Sequence, residues 1–187
     1  MELVSYQDFG AALIDEAVTP ARIERAVAGV AGDRVEVGPL LVGPGDAASV
    51  MAKGQIGAPT AKPVAPEADG TRRFTVIIPV ELHLSVKVAA TLHRFEASLR
   101  VHLGLSLRTA ASPLSLVIDI VEPRTSEMEV DVRASGVVAR VLGRLGDVEG
   151  RMRREVITFI QSRLDSPEAR GAMVINIEDA VESIWKS

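Results

Sequence analysis

Residues 74–107 read FTVIIPVELHLSVKVAATLHRFEASLRVHLGLSL, and this stretch decides the fold. In its first part every second residue is apolar: Phe74, Val76, Ile78, Val80, Leu82, Leu84, Val86, Val88, Ala90 and Leu92. From Phe95 the alternation resumes on the other parity, through Ala97, Leu99, Val101, Leu103, Leu105 and Leu107. Successive side chains of a strand point to opposite faces, so this period marks strands with one dry face and one wet face. A single strand of this length, at roughly 3.4 Å per residue, would outrun a domain of this mass. The parity change predicts a turn between Leu92 and Phe95, and because His93-Arg94 lacks the Gly or Asn that tight turns favour, a wider turn or bulge is expected there. In that register Ser85 faces His102 and Glu81 faces Ser106.

Downstream, Leu114, Leu116, Ile118 and Ile120 alternate, and then Met128, Val130 and Val132. Ser112-Pro113 and Glu122-Pro123-Arg124-Thr125-Ser126 separate these runs with turn chemistry, which predicts an antiparallel meander. The period then changes. Val138, Val141, Leu142, Leu145, Val148, Met152, Val156, Phe159, Ile160 and Leu164 recur at three and four, the stripe of a long amphipathic helix. Gly143, Gly146 and Gly150 either break that helix or let it approach the sheet closely. Ser166-Pro167 ends it, Met173–Ile177 reads as a short strand, and Glu178–Trp185 reads as a closing helix.

Upstream, Ser5 with Asp8 opens a helix whose stripe is Phe9, Leu13 and Ala17. Thr19-Pro20 opens a second, carrying Ile23, Ala26, Val27 and Val30. Strands over Arg34–Val42 and Ser49–Ile56 flank Gly43-Pro44-Gly45-Asp46, a plain turn, since no Gly-Lys-Ser/Thr follows to make a phosphate loop. Residues 57–71, with Pro59, Pro63 and Pro66, read as a Pro-rich loop or mobile arm. The expectation for residues 1–187 is one α+β domain. It has two short N-terminal helices and a long-stranded, twisted antiparallel sheet wrapped on a long C-terminal amphipathic helix.

Composition narrows the chemistry. A net charge of −4 argues against nucleic acid as partner, because phosphate binding needs clustered Lys and Arg. The absence of cysteine removes thiolate metal sites and thiol catalysis. Met1-Glu2-Leu3-Val4 carries neither a basic segment nor an unbroken apolar run, so a cytoplasmic location is expected. No stretch approaches about 20 consecutive apolar residues, so no transmembrane segment is expected. Aromatic residues make up only 3% of the chain, so small aliphatic side chains must fill or line the interior.

Polar candidates each have a plainer reading. His83 and His102 lie diagonally across the hairpin in the register above, near Glu81, and two imidazoles with a carboxylate can hold a divalent metal. A wet strand face explains the same residues, His93 included. Ser85, Ser98 and Ser106 share that face, but no activating Gly-x-Ser-x-Gly turn surrounds them. Glu127, Glu129 and Asp131 alternate outward, and Asp119 also points to water. Arg140, Arg144, Arg151, Arg153 and Arg154 form a basic stripe that would suit an anionic headgroup or a partner protein. Interleaved with Asp147, Glu149 and Glu155, it serves solubility more simply. No cofactor is predicted. What remains is the apolar sheet face. One helix covers only part of a long, coiled sheet, and the rest must meet a ligand, a partner or a second copy of the chain.

The order of elements resembles the tubular lipid-binding (TULIP) superfamily, which includes bactericidal/permeability-increasing-like and synaptotagmin-like mitochondrial lipid-binding domains. The resemblance lies in Thr71–Val132, Val138–Leu164 and the tail Val174-Ile175-Asn176-Ile177-Glu178-Asp179-Ala180-Val181, roughly two-thirds of the chain. It is one of pattern, without a diagnostic motif, and the paired helices at the start depart from it. It implies non-catalytic binding of a lipid or similar apolar molecule in a sheet–helix groove. The groove would be lined by Leu82, Leu84, Val86, Leu99, Val101, Leu103, Ile118, Met152 and Val156. The helix-grip fold of START-like proteins is the alternative architecture. The alternative function is a structural or adaptor module, with the apolar sheet face as a homo-oligomer interface. An enzyme of the cyclase or isomerase kind would require a polar group aimed into the pocket.

Overall fold

In a computed structural model, residues 3–66, 71–111, 114–121, 129–133 and 148–177 are described. The 74–107 stretch forms the middle of a strongly curled antiparallel sheet, a half-barrel with a few helices, in an α+β architecture. Strand β4 (Arg73–Val88) and strand β5 (Thr91–Ala111) pair along β4's whole length. Their inward side chains, from Phe74 to Val86 and from Phe95 to Leu107, are buried as the alternation predicts.

The expected register is corrected. The chain turns at Ala89-Ala90, with Ala89 at φ 52°, and Val88 pairs with Thr91. Ser85 therefore lies opposite Arg94, and Glu81 opposite Ser98, a slip of eight residues from the expected pairing. An even slip leaves the side chains of residues 74–88 and 95–107 on their own faces, so their burial does not choose between the two registers. The turn chooses, and it moves Leu92 to the outer face opposite Lys87, where it is 51% exposed.

The two N-terminal helices form where their caps place them. Ser5 Oγ accepts from the Asp8 amide at 3.1 Å and starts α1 (Tyr6–Ala17). Thr19 Oγ1 accepts from the Arg22 amide at 3.4 Å and starts α2 (Pro20–Val27), which buries Ile23 and Val27. β1 (Arg34–Val42) and β2 (Ala48–Ile56) follow, paired around a bulge between Val37 and Leu40. Gly38 sits in that bulge at φ 107°, where a Cβ would lie 2.5 Å from the Val50 carbonyl oxygen, so only glycine fits.

Residues 57–71 are not wholly a loop. Thr60–Val64 forms β3, which continues the line of β2 along β4 and buries Ala61. Pro63 is tolerated because β3 pairs with β4 alone. Glu24 of α2 accepts the Ala61 amide at 2.8 Å and fastens this short strand.

The sheet is not a simple meander either. β6 (Leu114–Val121) pairs with β5 over Gly104–Ala111, whereas β7 (Glu129–Arg133) pairs with β5 over Glu96–Arg100. One long strand thus serves two short ones placed end to end. The order is β1-β2-β4-β5-β6-β8, with β8 (Val174–Asn176) on β6.

Of the expected helix over Val138–Leu164, the described residues show α3 (Val148–Leu164), 17 residues. Val138 to Asp147, with Arg140 and Arg144, and the closing helix at Glu178–Trp185 lie outside the described residues. Met152, Val156, Ile157, Ile160 and Leu164 of α3 are buried in one core with the inward sheet residues. α4 (Pro167–Ala172), capped by Ser166, links α3 to β8.

Candidate functional site

The nine side chains expected to line a groove lie on the inner side of the fold, and all are buried. Leu82, Leu84, Val86, Leu99, Val101, Leu103, Met152 and Val156 are at most 2% exposed, and Ile118 is 6% exposed. Five buried side chains of α3 share one core with these strand residues.

A cleft opens beside one of them. Ile118 of β6 forms its floor with Ile175 of β8, Ala172 of α4, and Val18 and Ile23 where α1 gives way to α2. Its volume is about 270 Å³, and its walls are mainly apolar. The end of α1, the helices α2 and α4 and the strands β6 and β8 converge there, and all but Arg22 and Arg25 contribute small or aliphatic side chains to the gap. Arg22 and Arg25 stand at the rim. The Arg22 guanidinium donates to the Ala17 carbonyl at 2.8 Å, which fixes its stem across the opening. Arg25 makes no ion pair with the described residues and stays exposed. Of this set only Ile118 was expected to line a groove. Ile23 and Ala26 share the period of α2, but nothing in the sequence joins α2 to Ala172, Ile118 and Ile175.

The polar candidates separate. His83 stands between Lys53 of β2 and Glu96 of β5 in a cross-strand row that Glu36 of β1 extends, with Lys53 and Glu36 ion-paired at 2.8 Å. His102 lies opposite Ile77, six residues along β5 from Glu96, roughly 20 Å away at strand spacing. The two imidazoles therefore cannot share a metal. Among the described residues, no group of three or more His, Asp or Glu is placed to hold one. Ser85, Ser98 and Ser106 each lie opposite a residue other than histidine. His93 stacks on Phe95 with ring centroids 6.5 Å apart.

The charged residues act mainly as fasteners. Asp119 is half-buried and pairs with Arg108 rather than standing free in water. Glu129 pairs with Arg100 at 3.2 Å. Arg151 reaches from α3 to the Leu41 carbonyl at 2.7 Å, so it covers an acceptor on the edge strand β1 in addition to its charge. Arg153 is half-buried, and Arg154 is exposed.

Among the described residues, no helix is long and apolar enough to cross a membrane. No protein-family model matches this chain, and neither does any curated protein sequence.

Proposed function

We propose that this chain is a non-catalytic binder of a lipid or similar apolar molecule, taken up between the curled sheet and the helices. The tubular lipid-binding resemblance, with the sheet wrapped on the C-terminal helix, belongs to this proposal. The observation that carries it is the apolar cleft over Ile118, which joins the surface to the core and has two arginines at its mouth. Its volume lies near the lower end of the range for small-molecule sites, which favours one acyl chain over a two-chained lipid. The walls offer dispersion and water exclusion, so affinity follows the apolar area removed from water, about 25 cal/mol per Å² before ordering costs. The polar end of the ligand sits beside Arg22 and Arg25. Of the nine expected residues only Ile118 lines the cleft, and the other eight are buried in the core.

The apolar sheet face is covered within one chain, so no observation favours that face as an oligomer interface. The test is displacement of a fluorescent fatty acid. Ala172 is exposed at the cleft, so Ala172→Trp fills the mouth without disturbing the core. The expected result is at least about tenfold weaker binding with an unchanged melting temperature. Equal binding by the variant and the parent chain would overturn this placement.

A further inference from the structure

Helix α1 carries an apolar stripe wider than the face it buries. None of its residues is buried, and only Ile14 and Ala17 pack partly against the core. Tyr6, Phe9 and Leu13, at helical spacing, are 97%, 58% and 46% exposed, and Leu3 and Val4 just before the cap are 88% and 60% exposed. Five neighbouring large apolar residues make a patch of several hundred Å², about the largest that a soluble monomer presents without a purpose. Two of them are aromatic in a chain with six aromatic residues in all. The only charges in α1 are Asp8, Asp15 and Glu16, with no Lys or Arg, and Asp15 is held by Arg72 at 2.7 Å.

From this we infer that α1 docks the chain on an uncharged lipid surface by inserting Leu3, Tyr6, Phe9 and Leu13 among the headgroups. Three observations select this occupant. A stable contact with a second copy needs about 800 Å² on each partner, more than this stripe presents. Partial insertion of a few aromatic and aliphatic side chains is sufficient at a bilayer interface, where Tyr and Phe rings sit well. The acidic polar side of α1 repels anionic headgroups, so the attraction is apolar and needs no negative lipid. Docking also has a direction within the fold, because Ala17 and Val18, where α1 ends, line the apolar cleft. The inference goes beyond ligand binding and stands on α1 alone.

Vesicle flotation of the full chain tests it, with one set of vesicles of pure phosphatidylcholine and another mixed with phosphatidylglycerol. The chain is expected to float with pure phosphatidylcholine, no better with the anionic mixture, and with little loss in added salt. Phe9→Ser and Leu13→Ser should each weaken binding about tenfold, because each removes one inserted side chain. Both residues are exposed, so circular dichroism and melting should match the parent chain. Three results would overturn the inference: no flotation with either vesicle, flotation only with phosphatidylglycerol, or equal flotation of both variants and the parent. A dimer in buffer that Phe9→Ser converts to monomer would also overturn it, because a second copy would then be the partner of the stripe.

Discussion

Leu84 and Ser85 are neighbours in β4 that meet different surroundings. Leu84 is 2% exposed among aliphatic side chains, whereas Ser85 is half-buried on the outer face between Met51 and Arg94. Leu84→Asp would bury an unpaired charge and should cost about 3 kcal/mol or more. Ser85→Asp gains Arg94 opposite it and should change stability by less than about 1 kcal/mol. Urea melts of the two variants check this, and comparable losses would mean that the strand faces are assigned wrongly. Parity at this scale was legible because alternation is a property of each residue's own position. The register was not, because Ala89-Ala90 lacks turn residues and an alanine at φ 52° leaves no trace in composition. Left-handed backbone costs an alanine about 1–2 kcal/mol, while glycine adds unfolded-chain entropy of about 0.5–1 kcal/mol. Ala89→Gly should therefore stabilise the protein by about 0.5–1 kcal/mol, seen as a higher urea midpoint at an unchanged slope. A lower midpoint would place the turn elsewhere.

Among the elements, α3 was legible in its apolar stripe and partly misread in its basic one. Ile160 is fully buried, and Ile160→Ala should cost about 2–5 kcal/mol through lost burial and the cavity left behind. Arg151 looked like a solubilising charge because sequence does not show which strand edge lies within reach of a helix. Its bond to the Leu41 carbonyl is solvent-exposed, so Arg151→Ala should cost only about 0.5–1 kcal/mol. Faster amide exchange around β1 in that variant would mark the uncovered edge, and unchanged exchange would mean that the bond protects nothing. β3 escaped the sequence because Pro63 reads as a loop marker, yet an edge strand has no inner neighbour requiring that amide. β7 escaped its true partner because hairpin logic pairs consecutive strands, whereas β5 extends far enough to hold both β6 and β7.

At the scale of the whole molecule, the curled sheet uses its aliphatic inner face twice. Most of it is buried in one core that also takes five side chains of α3, and Ile118 borders the cleft between α2, α4, β6 and β8. Half-barrel curvature was implied by strands too long to lie flat in a domain of this size. The cleft was not implied, because it arises where Ala17, Ala26 and Ala172 meet from separate elements and leave space that larger residues would fill. In the proposed function this space holds one apolar molecule. Native mass spectrometry of the purified full chain, before and after extraction with organic solvent, tests it most directly. The expected result is a single adduct of acyl-chain mass that extraction removes and that added dodecanoic acid restores one to one. A bare chain before extraction that takes up no dodecanoic acid afterwards would contradict it.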